Sequence, residues 1–303
     1  MPTSVSITST YSGDFAGEYI AAALLSGSTI ENGGITVKPN VKYKEVIKKV
    51  ATDSNIIKDA SCDFTDTGAV TLTERVLAPE QFQINMELCK GDFISDWEAV
   101  EMGYSSFDSL PPSFSDFLIG HVSGLVAEKT EQNIWGGVTA NAGEFDGLIT
   151  LATADADVVD VTGAVGGVTA ANVIAELQKV IDAIPNAVYS KSDLAIYVAP
   201  NVAKAYIAAQ AALGYANLYH DGKTNLNFQG LPLFVADGLT ASYMMAAQKS
   251  NLFFGTGLLS DHNEVRVLDM ANLDGSDNVR IVMRFSAGVQ YGIGSDIVLY
   301  TPL

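Results

Sequence analysis

The run PPSFSDFLIGHVSGLVAEKTEQNIWG, residues 111–136, is the longest uninterrupted helical pattern in the chain, and the other elements have to be arranged around it. Its two prolines suit a first turn, Ser113 is placed to cap it, and Asp116 complements the positive N-terminal end. Phe114, Phe117, Leu118, Val122, Leu125 and Val126 recur at helical spacing, with His121 on the same stripe, where it reads as a satisfied core residue rather than a ligand. Glu128, Lys129, Glu131 and Gln132 make the last turns polar, and Gly136-Gly137 ends them. The pattern predicts a helix over 113–135, a rod roughly 33 Å long at 1.5 Å per residue. Most of the chain beyond Gly137 is strand-like, so a spine with a sheet laid on its apolar stripe is the expected arrangement.

The chain around this rod is 303 residues long, enough for one large domain or two modest ones. It is 48% apolar and only 17% charged, with a mean hydropathy of +0.21. The longest apolar runs, such as Tyr19–Leu25, fall far short of the ~20 residues a membrane span needs. The composition therefore suits a soluble subunit that buries surface against other subunits. No basic segment or cleavage pattern follows Met1-Pro2-Thr3, so no secretory signal is visible.

A net charge of −18 argues against a nucleic-acid binder, which needs Lys and Arg to neutralise phosphates. The charge is uneven. Lys38, Lys42, Lys44, Lys48, Lys49 and Lys58 face only Glu45 and Asp53 between positions 38 and 58, so that window is +4 and the remainder −22. It is either a solvated basic face or a segment that docks on the acidic body of a neighbouring copy, with direct DNA contact a weaker third reading. Cys62 and Cys89 match no zinc or CxxC spacing, and two reduced, buried thiols are expected.

Residues 1–12 are Ser/Thr-rich without periodicity and read as a mobile or partner-bound end; FAGEYIAAALL (15–25) reads as a short helix, and Lys44–Val50 as one or two helical turns. Asp66-Thr67-Gly68 is turn chemistry, and Val70, Leu72 and Val76 alternate after it, which signals a hairpin within 60–90. Such a hairpin is marginal alone and needs something to lie on. Glu74 and Arg75 near its middle are surface charges or half of an intersubunit ion pair. FISDWEAVEM (93–102) is a short amphipathic helix carrying Trp97. Beyond the spine, Thr169 is placed to cap a helix bearing Val173, Ile174, Leu177, Val180, Ile181 and Ile184, with Pro185 after it. A strand at 194–198, a helix from Pro200 to about Gly214, and strands at 231–236, 243–248 and 252–254 indicate an α/β or α+β subdomain. The last fifty residues, EVRVLDM, VRIVMRF, GVQYGI and DIVLYT, read as an antiparallel sheet with one face covered and Arg266, Arg280 and Arg284 at polar positions.

No catalytic constellation emerges. No HxxxH, HExxH, GxSxG or P-loop pattern is present. Asp155, Asp157 and Asp160 lack the glycine turn and terminal glutamate of an EF-hand loop. GTGLLS (255–260) approximates a dinucleotide loop without its last glycine and without a helix to receive the phosphate. No catalytic, cofactor-binding or metal residues are assigned, and no enzymatic activity is expected.

In order, the chain offers a long N-terminal segment, a hairpin, a spine helix, an α/β insertion and a returning sheet. With the stretches VTLTERVLAPEQFQINMELCKGDFISDWEAVEMG (70–103), FDGL (145–148), NLFFGTGLLSDHNEVRVLDM (251–270) and DGSDNVRIVMRFSAGVQYGIGSDIVLY (274–300), it resembles the major capsid proteins of tailed bacteriophages. The resemblance implies an α+β, Hong Kong 97-like capsid fold with a long spine helix, an extended hairpin loop, an antiparallel sheet and an inserted α/β axial domain. It divides the chain into an N-terminal arm (1–45), an extended loop overlapping a neighbour (46–92), a peripheral domain holding the spine (93–150), an axial domain (151–254) and peripheral return strands (255–303). It implies a subunit that assembles through hexamers and pentamers into an icosahedral shell in the host cytoplasm and resides in the virion. The shell would enclose double-stranded DNA without gripping it, make no use of a membrane, and have a scaffolding protein, a portal and decoration proteins as further partners. Family members that begin with a cleaved helical scaffolding region differ here, since none is visible, and Met1 favours a separate scaffold. No crosslinking Lys–Asn pair can be placed. Lys42, Lys44, Lys48, Lys49, Glu74 and Arg75 are the expected assembly contacts. The alternatives are an encapsulin-like cellular compartment, against which the long N-terminal arm argues mildly, and an enzyme without a recognisable motif.

Overall fold

A computed structural model describes residues 28–52, 57, 59, 69–89, 112–212, 226–257, 266–272 and 275–303. The expected helices at 15–25 and 93–102, the Ser/Thr-rich residues 1–12, the Asp66-Thr67-Gly68 turn and Cys62 lie outside them, as do the side chains of Ser113 and Asp116. The elements run α1 (Ser28–Glu31), β1 (Thr36–Lys38), β2 (Glu45–Thr52), β3 (Val70–Leu77), β4 (Glu80–Cys89) and the long α2 (Pro112–Gly136). Then come α3 (Leu148–Ala154), β5 (Val159–Thr162), α4 (Val173–Ala183), α5 (Asn186–Tyr189), β6 (Leu194–Val198), α6 (Pro200–Ala212), β7 (Asn227–Phe228), β8 (Leu231–Val235) and β9 (Met244–Gln248). The chain closes with β10 (Leu252–Thr256), β11 (Arg266–Asp269), β12 (Asn278–Tyr291) and β13 (Val298–Thr301).

Among the described residues the strands form three sheets. A five-stranded sheet has the order β1-β10-β12-β11, with β4 also pairing β12 along Asn278–Ala287. A mixed six-stranded sheet runs β5-β13-β9-β6-β8-β7, and β2 and β3 form a separate two-stranded ribbon. The α2 stripe meets the first sheet as its spacing requires: Leu118, Val122 and Val126 pack on Ile281 and Met283 of β12, with Ile84, Leu88 and Val267 at the edges. On β12 the alternation buries Val279, Ile281 and Met283 and leaves Arg280 and Arg284 outside. His121 is half-buried on α2. The second sheet is a dry core. Leu194, Ile196, Tyr197 and Val198 of β6 are at most 1% exposed, and α4 packs across β5, β9 and β13.

The last turns of α2 depart from their sequence pattern. Thr130, Glu131, Asn133, Ile134 and Trp135 are all buried, because the helix end runs into the second core, where the Trp135 ring lies 5.2 Å from that of Tyr197. Glu131 enters with its partners. It accepts from the Thr29 N–H at 3.1 Å and from the Thr29 hydroxyl, and Trp135 Nε1 lies 2.9 Å from Thr29 Oγ1. Burial raises the Glu131 pKa, opposed by hydrogen bonds from Thr29, Trp135 and the Gly238 backbone. A Cβ at Gly238 would stand 2.2 Å from the Glu131 carbonyl oxygen, so only glycine permits this approach.

Several other expectations are corrected. Lys44–Val50 is not helical: EVIKKVAT carries Val46, Ile47, Val50 and Thr52, and these β-branched residues go into strand β2, antiparallel to β3. The hairpin partner of Val70–Leu77 is therefore Glu45–Thr52 rather than a segment within 60–90, and β4 joins β12 instead. The 296–301 strand leaves its expected sheet: β13 inserts between β5 and β9 of the six-stranded sheet, so residues 255–303 do not all return to the sheet on the spine. Conversely β10 pairs with β12 rather than with the α/β insertion. Thr169 precedes α4 by a full turn, its carbonyl accepting the Val173 N–H at 2.9 Å. Cys89 is a free thiol and exposed.

Candidate assembly surface

The ribbon β2–β3 holds most of the residues expected to make contacts between copies, and its register explains their placement. Glu45 faces Leu77 and the pairing runs to Thr52 opposite Val70, which sets Val46 against Val76, Lys48 against Glu74 and Val50 against Leu72. Successive side chains alternate faces, so these three pairs and Val70 share one face. It is exposed. Val46, Val50, Val70, Leu72 and Val76 are 42–67% accessible. On the opposite face Ile47 approaches Gly292, and Leu77, fully buried, packs against Gly255.

Of the six expected contact residues, Lys42, Lys44, Lys48 and Glu74 are exposed, and Lys49 is half-buried opposite Thr73. Lys44 Nζ lies 5.1 Å from the Tyr43 ring, itself 75% exposed. Lys38, from the same basic window, is taken up by an ion pair with Glu45. Arg75 differs from the others. It turns inward, pairs with Asp155 beyond the end of α3, and stacks on the Tyr291 ring with its guanidinium carbon 4.5 Å from the centroid. The partner found for it is thus within its own chain rather than on a neighbour. Burial pushes the Asp155 pKa up, but the Asp157 N–H, the Tyr291 hydroxyl and Arg75 together hold it below the usual carboxylate range.

A second apolar surface opens where β4 and β12 meet α2. A groove of roughly 270 Å³ is lined by Phe82, Ile84, Met86, Val122, Leu125 and Val126, with Lys129 and Asn133 at one end. Its walls offer shape and apolar area suited to holding a side chain. Among the described residues no group of three or more His, Cys, Asp or Glu converges as metal ligands. Gly257 at the end of β10 is committed to the fold, its N–H to Ser286 Oγ at 2.8 Å and its carbonyl to the Asn40 N–H at 2.7 Å. Among the described residues no helix is long and apolar enough to cross a membrane.

No family model matches the chain, and no curated protein matches it. Solved structures do. A chain from the capsid of a native GTA particle, computed with C5 symmetry, superimposes with a TM-score of 0.65 at 12% identity, over 94% of this chain and 93% of that one. The capsid of Myoviridae phage XM1 gives 0.57 at 13% identity, over 94% and 95%. This chain has the fold of phage capsid proteins. A chain of Mycobacterium phage Cain matches over 98% and 95% with a TM-score of 0.61 at 15% identity. The capsid fold accordingly spans nearly all of the sequence, and the Hong Kong 97-type resemblance holds at the level of fold.

What the sequence missed at this surface is the apolar row. Val70, Leu72 and Val76 are visible as an alternation, but their partners Val46 and Val50 sit in a segment whose consecutive apolar and lysine pairs hide the period of two. Asp155 and Tyr291 give no sequence signal as partners of Arg75, being 80 and 216 residues away.

Proposed function

We propose that this chain is the major capsid protein of a tailed double-stranded DNA phage, assembling through hexamers and pentamers into an icosahedral shell around the genome. One observation carries the reading. A capsid fold that covers nearly the whole chain also projects a ribbon with five half-exposed or more exposed aliphatics on a single face. Apolar surface of that kind on an arm marks a site for another protein. Each such side chain contributes about 1–2 kcal/mol when a partner covers it. Multiplied over many copies, this suits a shell. In this reading the β2–β3 ribbon reaches over a neighbouring copy, Lys42, Lys44, Lys48 and Lys49 meet its acidic body, and residues 151–254 gather at the centres of the hexamers and pentamers. The acidic remainder of the chain suits a wall that encloses DNA without binding it.

Electron microscopy of the purified protein at high concentration tests this. Closed shells, tubes, or rings of five or six are expected. A species that stays strictly monomeric overturns the proposal, and particles from the native source that contain enzyme cargo and no DNA would move it to a cellular compartment.

A further inference from the structure

The ribbon leaves the body as a cantilever. From Val70 to Glu74 every β3 side chain is exposed, whereas Arg75 is half-buried and Leu77 wholly buried. At about 3.3 Å per residue, the part of β3 beyond Arg75 projects roughly 17 Å. Arg75 is therefore the last inward-facing residue before the free arm, and whatever holds it fixes the arm's direction.

Three separate segments converge there. Asp155 caps α3, which packs on β12 and β13, and Tyr291 ends β12. The Tyr291 hydroxyl donates to Asp155 Oδ2 at 2.8 Å, and Asp155 Oδ1 accepts the Asp157 N–H at 3.1 Å. Asp155 Oδ2 also receives Arg75, whose flat guanidinium covers the Tyr291 ring. The carboxylate is thus aimed by two donors of the body before Arg75 reaches it. A planar, forked cation fits this arrangement and a lysine does not. Gln290 Nε2 adds a bond to the Val76 carbonyl at 3.3 Å, one residue further toward the base.

We propose that Arg75, Asp155 and Tyr291 form a latch that positions the β2–β3 ribbon on the body, so that breaking it frees the arm while the two larger sheets stay intact. Its use in setting shell geometry rests on the assembly reading above. The latch itself does not.

Hydrogen exchange on the unassembled full-length subunit reads it directly. Arg75→Ala is expected to speed amide exchange in 45–52 and 70–77 by about tenfold, the loss of one charge-assisted contact, with 194–198 and 278–287 unchanged. Arg75→Lys restores only part of the protection, and the reciprocal pair Arg75→Asp with Asp155→Arg restores more than either single change. Tyr291→Phe, which keeps both charges and the ring, gives a smaller acceleration confined to the ribbon. Ribbon exchange unaltered by Arg75→Ala, or acceleration spread equally over every strand, overturns the latch. Particle size is then compared by microscopy. A looser ribbon with a broadened size distribution supports latch and assembly reading together. A looser ribbon with unchanged particles keeps the latch and removes the ribbon from assembly.

Discussion

The ribbon and the six-stranded sheet are made of similar residues and use them in opposite ways. Valine and leucine on the outer face of β2–β3 stand 42–67% exposed, whereas their counterparts on β6 are at most 1% exposed. The sheet derives its stability from its own chain, as helices α4 and α6 cover strands rich in β-branched and aromatic residues. The ribbon cannot. A two-stranded unit without a covered face is marginal in water, and it is held by its base: Leu77 against Gly255, Ile47 against Gly292, and Arg75 on Asp155. The contrast separates apolar residues that the chain buries for its own folding from an apolar row that the described residues leave exposed.

Substitutions on the two sides of that contrast should separate folding from assembly. Ile196→Ala, in the dry core, is expected to cost about 2–5 kcal/mol through lost burial and a residual cavity, measured by urea unfolding of the unassembled subunit. Leu72→Ser on the ribbon is expected to change that stability by less than about 0.5 kcal/mol and yet to abolish particles in the microscope. If Leu72→Ser unfolds the subunit as Ile196→Ala does, the ribbon face is covered by its own chain and the contrast is broken.

The next effect lies where α2 enters the second core. Thr29→Val keeps the shape of the side chain but strips Glu131 of a hydroxyl donor and leaves Trp135 Nε1 only its longer bond to Glu131 Oε1, at 3.3 Å, with an expected loss of about 1–3 kcal/mol. The pH dependence has a defined sign. The Glu131 pKa is raised in the folded state, so the folded chain holds more protons than the unfolded one in the window just above the ordinary carboxylate range. Stability there falls as pH rises, and Glu131→Gln should flatten that slope. Asp155, Glu176 and Asp193 are shifted downward and act in the opposite sense. Their contribution is present above the unfolded pKa and is lost as pH falls through the lower folded values. An unaltered slope in Glu131→Gln would mean that the buried carboxylate titrates as an ordinary one.

How much of the fold was legible depends on what each signal reports. The spine is legible because Leu118, Val122, Leu125 and Val126 mix spacings of four and three, which a helix puts on one stripe and a strand does not, and Leu118, Val122 and Val126 do pack on β12. Its last turn was not. Glu131 reads as solvent-facing in any local pattern, and the donor that makes its burial possible is Thr29, 102 residues away. The VRIVMRF and LAIYV strands showed their character, whereas the sheet that DIVLYT joins depends on pairing with β5 and β9, which periodicity cannot report. Lys42, Lys44, Lys48 and Lys49 stand out in the sequence as a charge imbalance, and Glu74 and Arg75 as charges within a hairpin, but charge alone does not distinguish Arg75, which turns inward, from Lys48, which does not.

The smallest stability effect is expected from the charges of the ribbon, where the comparison can be made sharpest. Lys48→Glu with Lys49→Glu moves the basic window from +4 to a net of zero, since each reversal removes two units. Exposed charges contribute little to folding, so unfolding should shift by less than about 1 kcal/mol, with the circular dichroism spectrum unchanged. Part of that small shift is local, because Lys48 faces Glu74 across the ribbon and a like pair opposes the strand register. The swap Lys48→Glu with Glu74→Lys removes this ambiguity by keeping both the cross-strand pair and the net charge. If copies meet through the basic character of the ribbon, the swap assembles and the double reversal does not. If both assemble, the aliphatic row alone directs the contact and the lysines are a solvated face; if neither does, the position of Lys48 matters more than the sum of charge.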